Sequence, residues 1–330
     1  DPTGNTTLDG ENNKQLLYFY QDDDVTVSNL SIVNGYGDFG GGIFMESMSN
    51  PMFVNVRFED NNANYGGGAY LGFNTSPNFS NCTFYDNSVT GFGGGFISSA
   101  SSPTITNSLF NGNHADVYGG AVAFQNSFEA YLTHCTIDGN TADAGGAGMY
   151  IDMMSSVNIT GSIIRDDIYT EGYLRSANFS FSNVLGGATG TGNIDIDPLF
   201  NDEANRDFTL ATGSPCIDAA NPSEALESGS DGIASYPAQG TTLADMGAFG
   251  GVLATDWTVP ETPVNFTISI GNNQANLSWD PVESADCYFI YYSDTPDGIY
   301  VKISTPINAT VWSDPLSLST RYYKVKAFRY

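Results

Sequence analysis

The chain has 330 residues, 41% of them apolar, and its 37 acidic and 10 basic side chains give a formal net charge of −27. This apolar content is enough for a folded core, and the length suits one large domain or two ordinary ones. Nucleic acid is excluded as an expected partner, because a phosphate backbone is bound by clustered lysine and arginine. No apolar run approaches the ~18 residues of a membrane-spanning helix, so we predict no membrane span in this chain.

A repeat organises the first half of the chain. The stretch FEDNNANYGGGAY at 58–70 has counterparts at 84–96, 110–122 and 137–149, and a weaker copy at 32–44. Each copy begins with an apolar residue, passes through a polar turn and ends near a glycine run. Successive copies are 26 or 27 residues apart. Short β-rich segments at such a period are typical of a solenoid.

Further columns of residues share this period. Two apolar columns contain Val27, Phe53, Phe79, Ile105, Leu132 and Ile159, and Leu30, Val56, Cys82, Ser108, Cys135 and Ser162. Two corner columns contain Asn29, Asn55, Asn81, Asn107, His134 and Gly161, and Asn61, Asn87, Asn113 and Asn140. Asparagine favours corners because it tolerates left-handed backbone. We predict an all-β fold, a right-handed parallel β-helix with three strands per rung and rungs about 4.8 Å apart.

An aromatic residue precedes most of the glycine runs, which begin at Gly40, Gly66, Gly93, Gly119 and Gly145. The four aromatic residues are Phe39, Tyr65, Phe92 and Tyr118. We predict that they stack in one column and propose them as ligand-binding residues, because exposed rings present their faces to sugars. The alternative is a stabilising stack packed under a loop at a corner.

The cysteines and histidines have structural interpretations. Cys82 and Cys135 lie two rungs apart in one inward column, about 9–10 Å at normal strand spacing, so we expect free thiols. His134 occupies a corner otherwise filled by asparagine, and His114 follows another corner. We interpret both histidines as corner residues and not as ligands.

The repeat resembles a known group of surface proteins. The paired FxxN and GGA/GGG motifs, as in Phe58–Asn61 with Gly66–Gly68, are similar to those of polymorphic outer-membrane-protein-type adhesins. The resemblance covers roughly residues 25–165. It implies a secreted or cell-surface bacterial protein.

The repeat loses its phase after Ile164, and a closing segment at 192–254 completes the predicted β-helix of residues 1–254. Its pieces DPLF, DFTLATGSPCIDAA and DMGAFG resemble the ending of the choice-of-anchor group of surface proteins. That resemblance implies that the segment closes the last rungs. A dense set of aspartates here is a candidate calcium site, although aspartate also caps turns: Asp195, Asp197, Asp202 and Asp207.

A linker at 255–263 precedes a region at 264–330 that resembles a fibronectin type III domain, an immunoglobulin-like sandwich. Trp279 fits the buried tryptophan of the second strand, and Tyr322 is a candidate for the tyrosine corner. The region ends where a sixth strand is expected, and the N-terminal residues resemble the interior of a β-helix. We therefore expect the natural polypeptide to extend beyond both ends.

Two functions remain open. The first is a non-enzymatic adhesin, glycan-binding or structural module of a larger exported protein, whose partner is an extracellular glycan or another surface protein. The alternative is a carbohydrate-active enzyme, a polysaccharide lyase or glycoside hydrolase that uses the β-helix groove.

The scarcity of candidate catalytic side chains in the repeat favours the non-enzymatic module. A lyase needs basic side chains beside the abstracted proton, and Arg57 has no lysine or arginine near it in the repeat. Asp60 and Asp86 are equivalent residues of adjacent rungs, but Gly112 and Gly139 follow them in the column, which indicates turns. We predict no catalytic residue, and calcium is the only candidate cofactor.

Overall fold

The computed structural model describes most of the chain, and its described residues form two compact units, one within 6–255 and one within 256–330. Each unit is described by itself below. The described residues are 6–21, 25–172, 176–223, 243–250, 263, 265–271, 274–282, 287–293, 301–302, 307–315 and 321–328. The predicted linker, apart from residue 263, and the acidic run at 22–24 lie outside them.

The first unit is a parallel β-helix whose rungs have three strands at its start and four shorter strand segments from residue 78 to residue 151. One rung contains Asn78–Ser80, Thr83–Tyr85, Ser88–Val89 and Phe96–Ser99. The three strands per rung predicted from the sequence are present in the first rungs, and the four segments of later rungs still belong to three sheets. In the first rungs the corner of the first asparagine column lies inside one continuous strand, as in Met52–Glu59, and in later rungs it separates two strands.

The strands of successive rungs pair in parallel and build three sheets. The long sheet has 13 strands: Thr6–Asp9, Thr26–Val33, Met52–Glu59, Asn78–Ser80, Thr83–Tyr85, Thr104–Thr106, Leu109–Asn111, Ala130–Thr133, Thr136–Ile137, Ser156–Thr160, Ile163–Ile164, Ser176–Ser180 and Asn183–Val184. The seven-stranded sheet contains Leu17–Tyr20, Ile43–Glu46, Ala69–Leu71, Phe96–Ser99, Val122–Gln125, Met149–Ile151 and Ile168–Thr170. The five-stranded sheet contains Tyr36–Phe39, Asn62–Tyr65, Ser88–Val89, His114–Ala115 and Thr141–Ala142.

Each rung turns through residues with left-handed backbone. The first predicted corner column is confirmed, since its asparagines, His134 and Gly161 have φ between 47° and 60°. At the second corner the left-handed residue precedes the predicted asparagine, as Asp60 and Asp86 show with φ of 53° and 51°. This confirms that these two aspartates occupy turns. Asparagine, aspartate and glycine recur here because other side chains are strained at positive φ.

The glycine corner also requires positive φ, but the last glycine run was misaligned. Gly119 has φ of 74°, and its equivalent in the next rung is Gly146 with φ of 66°. Gly145 pairs instead with Tyr118 and so takes the place of the aromatic residue. The prediction that this run begins at Gly145 is therefore wrong by one residue, because this rung has 27 residues.

Stacked phenylalanines fill the interior. Phe58, Phe84 and Phe110 are fully buried, and their ring centroids follow one another at 4.6 Å with nearly parallel planes. The predicted free thiols Cys82 and Cys135 are confirmed and lie in the core. Burial raises the pKa of each thiol to about 12.

The second asparagine column is a buried hydrogen-bonded ladder. Nδ2 of Asn61 donates to Oδ1 of Asn87, Asn87 to Asn113, and Asn113 to Asn140, at 2.8–2.9 Å. The ladder ends at Asp166, whose Oδ2 accepts from Asn140 Nδ2 at 2.8 Å. In every one of these ladder bonds the side-chain amide donates to the oxygen of the next rung. The last side chain therefore only has to accept, and a carboxylate does this.

The closing segment lies against the side of the β-helix. Its strands Phe200–Asp202 and Asp207–Leu210 form an antiparallel pair joined by the 3-10 turn Glu203–Asn205. Leu210, Cys216 and Met246 bury Ile163 of the long sheet. Further contacts run along the first corner: Asn107 Nδ2 donates to the Ala248 carbonyl at 3.1 Å, and the Gly247 amide donates to the Gly161 carbonyl at 2.7 Å. The described part of the segment therefore covers several rungs laterally.

The second unit has six described strands in two antiparallel sheets. One contains Thr267–Gly271, Gln274–Ser278 and Val311–Pro315, and the other Cys287–Ser293, Val301–Lys302 and Tyr322–Phe328. Trp279 is buried as predicted, 5.3 Å from the Tyr288 ring. Tyr322 is 38% exposed, and it is the Tyr323 hydroxyl that donates to Asp314, at 2.7 Å. The tyrosine predicted for the buried corner thus lies at the surface.

Candidate functional site

The four aromatic residues predicted to stack lie together in one column. The ring centroids of Phe39, Tyr65, Phe92 and Tyr118 follow one another at 5.7, 6.2 and 5.7 Å. The first two pairs are nearly parallel, with interplanar angles of 14° and 11°. The 26- or 27-residue period brings these side chains together because their strands pair in register.

A second aromatic column, on the outer face of the seven-stranded sheet, was missed in the sequence. Its members, paired in register from rung to rung, are Tyr18, Phe44, Tyr70, Ile97, Ala123, Tyr150 and Tyr169. The period itself was the available signal, since Tyr18, Phe44 and Tyr70 are separated by 26 residues. Ile97 and Ala123 interrupt the aromatic pattern and conceal it.

The two columns pack against each other, and together they form what we call the aromatic face. Phe39 lies edge-on to Tyr70 at 4.9 Å, and Tyr118 stacks on Tyr150 at 5.1 Å. In the later rungs Tyr150 is buried and Tyr118 partly buried, whereas Phe39 is 42% exposed. Stabilising packing and exposed rings therefore occur on the same face, at different rungs.

An open groove of about 380 Å³ lies at the exposed end of this face. Its lining residues are Phe39, Phe44, Glu46, Tyr70, Gly72, Phe73, Ser99 and Ala100. Gly72 keeps its floor close to the neighbouring rung, because an added Cβ would lie 2.7 Å from the Met45 carbonyl oxygen. Aromatic rings, one carboxyl side chain and the hydroxyl-bearing side chains of Tyr70 and Ser99 thus line the same depression.

Hydrogen bonds to carboxylates raise the pKa of two tyrosine hydroxyls of this face. Tyr18 donates to the Glu46 carboxylate, and this bond raises the pKa of Tyr18 to about 12. Burial and a 2.6 Å bond to Glu171 raise the pKa of Tyr150 as well. The face therefore carries aromatic rings beside carboxyl groups that accept hydrogen bonds. Ring faces attract positively polarised C–H groups, and carboxylates accept hydrogen bonds from hydroxyls.

The four aspartates predicted to bind calcium are not gathered into one group. The one group of three or more potential metal ligands in the described part of the chain contains none of them. Their observed partners belong to turns and ion pairs: Arg165 for Asp195 at 3.2 Å, the Leu199 amide for Asp197 at 2.9 Å, Asn205 for Asp202 at 2.6 Å, and the Thr209 amide for Asp207 at 3.3 Å. Calcium binding by these residues stays a prediction.

The closing segment changes the surroundings of Arg57. The guanidinium of Arg57 lies 5.5 Å from the Tyr85 ring centre, and that of Arg206 lies 4.5 Å from the same ring. Arg206 also forms ion pairs with Asp86 and, at 3.5 Å, with Glu59. The prediction that no second basic side chain accompanies Arg57 is therefore wrong, because the partner comes from 149 positions later in the chain (206 − 57).

Carboxyl groups with raised pKa lie on this side of the β-helix. Burial, with the nearby charges of Asp166 and Glu203, raises the pKa of Asp138 to about 7. Burial also raises the pKa of Asp60, helped by Glu59 and Asp86. About half of the Asp138 carboxyl groups therefore carry a proton at neutral pH, whereas an aspartate with the ordinary pKa of 3.8 would be almost fully ionised.

The histidine of the first corner has a structural role. His134 is buried, and its Nδ1 is 2.9 Å from the Asp245 carbonyl oxygen of the closing segment. It thus joins a rung to the segment that covers it, in agreement with its interpretation as a corner residue.

Comparison with known proteins identifies the repeat. The family described as "Right handed beta helix region" matches residues 5–164. This part of the chain is a right-handed parallel β-helix. No solved structure matches the chain. Among the described residues no helix is long and apolar enough to cross a membrane.

The curated relatives match the chain over short stretches. An amylopullulanase of Thermoanaerobacterium thermosulfurigenes is 32% identical over 80 residues, 23% of this chain and 4% of that protein. An amylopullulanase of Thermoanaerobacterium saccharolyticum is 36% identical over 59 residues, 18% of this chain and 5% of that protein. The chain thus spans only a small part of the length of these relatives.

Proposed function

We propose that this chain is a non-enzymatic glycan-binding module of a larger exported bacterial protein, and that the aromatic face is its binding surface. The open groove beside Phe39, Phe44 and Tyr70 carries this proposal. Exposed rings at successive rungs provide adjacent stacking positions for the units of an extended sugar chain. A surface of this kind suits an adhesin as well as a module that holds an enzyme on its polymer.

The polar groups of the groove can form hydrogen bonds with sugar hydroxyls, which stacking on a ring does not provide. Glu46 accepts hydrogen bonds, and the Ser99 hydroxyl both donates and accepts. Sugar hydroxyls need such partners, because a hydroxyl that loses water without a new partner weakens binding. The strands on both sides hold these groups in fixed positions, so little order has to be gained on binding.

The relatives add limited support for a carbohydrate-related role. Both are amylopullulanases, and the similar stretches are short compared with either enzyme. Their name suggests the first polymers to test, pullulan and amylose. Because the match covers so little of each enzyme, it favours neither a catalytic nor a binding role.

The second unit fits the proposal as a spacer. We propose that it is a fibronectin type III domain, supported by its two three-stranded antiparallel sheets and by buried Trp279. Such domains carry binding modules on many extracellular proteins. A secreted or cell-surface location is part of the same proposal.

Binding to immobilised and soluble polysaccharides tests the proposal. The panel contains pullulan, amylose, xylan and homogalacturonan, and affinity is measured by affinity electrophoresis and titration calorimetry. We expect saturable binding to at least one polymer and a loss of about fivefold or more for Tyr70→Ala, since a buried stacking contact contributes about 1 kcal/mol or more. Phe39 lines the same groove, so Phe39→Ala should also weaken binding.

Tyr131→Ala is the matched control. Like Tyr18 of the aromatic face, Tyr131 is an exposed tyrosine that donates to a glutamate, Glu129, but it lies on the long sheet. It should leave binding unchanged. Absence of binding to every polymer, or equal losses for Tyr70→Ala and Tyr131→Ala, would contradict the proposal.

One observation favours the enzymatic alternative. Asp138, with its pKa of about 7 beside Asp166 and Glu203, has the protonation state that a general acid needs. We therefore propose Asp138 as the residue to test for glycoside hydrolysis. Release of reducing ends from any polymer of the panel, abolished by Asp138→Asn, would establish the enzyme over the binding module.

A further inference from the structure

We propose that His114, Asp116 and Asp143 form a binding site for a divalent transition-metal ion such as Zn²⁺, on the outer face of the five-stranded sheet. These residues lie outside the aromatic face and outside the predicted calcium set. Each offers one ligand atom, and the three atoms all lie within 4.8 Å of one another.

The distances suit a small ion. His114 Nε2 and Asp116 Oδ1 are 3.2 Å apart. Two ligands about 2.0–2.1 Å from zinc are separated by roughly 3.3 Å at a tetrahedral angle, so this pair is already spaced as an edge of the coordination shell. Asp143 is exposed, and a rotation of its side chain closes the remaining gap. Water completes the coordination.

The β-helix brings these side chains together by two regular spacings. His114 belongs to the strand His114–Ala115 and Asp116 follows it directly, and the 3.2 Å contact between their side chains places both on the same side. Ala115 pairs with Ala142 of the next rung, which places Asp143 opposite Asp116. Adjacent strands are about 4.8 Å apart, a distance that side chains of neighbouring rungs bridge around one ion.

A neighbouring threonine orients the imidazole. Thr141 lies directly opposite His114 in the next rung, and its Oγ1 is 2.9 Å from His114 Nδ1. When the hydroxyl accepts the Nδ1 proton, Nε2 presents its lone pair toward the two carboxylates. Metal-binding histidines characteristically use their second nitrogen in this way.

The charges around the site also favour a cation. Asp116 and Asp143 directly follow adjacent paired strands, so two like charges lie close together, which is unfavourable. In the described ranges of the chain, no lysine or arginine forms an ion pair with either carboxylate. A divalent ion would neutralise both. Because imidazole nitrogen suits zinc and similar metals while calcium takes oxygen ligands, the donor set selects the former.

The test uses the full chain, without a polyhistidine tag and freed of metal with EDTA. Titration calorimetry with Zn²⁺ should show one saturable site per chain, and Co²⁺ should give a visible absorption band that Zn²⁺ abolishes. His114→Ala and Asp143→Asn should each weaken Zn²⁺ binding by at least about tenfold. Calcium should bind the site more weakly than zinc.

Asp38→Asn is the matched control. Asp38 lies on the same sheet, and its carboxylate accepts a hydrogen bond from Asn64 Nδ2 at 3.0 Å. No histidine takes part in this contact, whereas Asp116 contacts His114. The control should keep the affinity of the parent chain, and unfolding midpoints measured without metal show whether each variant is folded. Asp143→Asn alters an exposed, isosteric side chain, so its result stands even if His114→Ala unfolds.

Any of four results would overturn the proposal, and the first three concern the metal and the ligand residues. These are the absence of saturable Zn²⁺ binding, unchanged affinity in Asp143→Asn, or calcium binding at least as tight as zinc binding. An equal loss of affinity in Asp38→Asn and Asp143→Asn would also overturn it, because the effect would then reflect net charge alone.

Discussion

The interior phenylalanine stack and the exposed aromatic column arise from the same repeat but differ in their surroundings. Phe58, Phe84 and Phe110 are fully buried and lie 4.6 Å apart. Phe39 and Tyr65 are stacked at 5.7 Å, and Phe39 is open to solvent. Periodicity therefore produces stacking in both places, and the direction of the side chain decides whether the ring stabilises the fold or is available to a ligand.

The difference implies that stability and binding can be changed separately. Burying a large apolar side chain contributes about 1.5–3 kcal/mol, whereas a ring left at the surface gains only part of this. Substitutions inside should therefore lower the free energy of unfolding strongly. Substitutions on the aromatic face should alter binding first. The following variants test this contrast.

The largest effect is expected for Phe84→Ala. Phe84 lies between two parallel rings and has no exposed surface. Its loss should lower the free energy of unfolding by about 3–5 kcal/mol, from lost burial and the cavity left behind. Chemical denaturation measures this. Phe73→Ala, at a side chain that is 63% exposed, is the control, and a similar loss there would refute the contrast.

Asn87→Ala should follow, because it breaks the buried ladder. Asn87 Oδ1 accepts from Asn61 Nδ2 at 2.9 Å, and Asn87 Nδ2 donates to the Phe58 carbonyl at 3.0 Å. Each buried group left without a partner costs about 1–3 kcal/mol, so we expect a loss of about 2–4 kcal/mol.

The direction of the hydrogen bonds in the ladder can be tested by replacing the Asn87 amide with a carboxylate. Asn87→Asp should also destabilise the fold, because a carboxylate cannot donate to the next oxygen. Asp166, at the end of the ladder, already accepts without donating to it. If Asn87→Asp were as stable as the parent in urea unfolding, the directional ladder would be wrong.

Asp138→Asn should have a smaller effect that depends on pH. The pKa of Asp138 is about 7 in the folded chain, against an ordinary value of 3.8. The folded state therefore binds more protons than the unfolded state between about pH 4 and pH 7, so this residue lowers stability as pH rises through that window.

The asparagine variant removes this pH-dependent penalty. It should be more stable than the parent at pH 8 and equal to it near pH 3, as measured by urea unfolding at each pH. A difference independent of pH would show that Asp138 is not protonated in the folded chain.

The smallest effect on stability is expected for Tyr65→Ala. Tyr65 is partly buried and stacks on Phe39 and Phe92. An aromatic pair contributes about 0.5–1.5 kcal/mol beyond burial, so the free energy of unfolding should fall by much less than for Phe84→Ala. Thermal unfolding measures the change. An equal loss in the two variants would show that the aromatic column is part of the core.

The repeat was readable because each rung places equivalent residues one above another. Asn29, Asn55 and Asn81 predicted a corner, and all three have left-handed backbone. The rung that contains Gly146 has one extra residue, so Gly145 was aligned with the first glycine of the other runs. Only the pairing of Gly145 with Tyr118 shows where the extra residue lies. Tyr70 was missed because its column loses its aromatic character at Ile97.

Contacts between distant segments could not be read in this way. Arg206 reaches Tyr85 and Asp86 only because the closing segment folds back along the side of the β-helix. The raised pKa of Asp138 has the same kind of origin, since it depends on burial and on the charges of Asp166 and Glu203. Neither contact leaves a periodic signal.

The sequence by itself determined the β-helix, its inward phenylalanines and its left-handed corners. Repetition fixes the register, and few residue types tolerate such corners or such burial. The tertiary structure decided which aromatic rings remain open, where the closing segment lies and which charges meet, as in His114 with Asp116 and Asp143. These features depend on side-chain direction and on segments far apart in the chain, and neither is encoded by a local pattern.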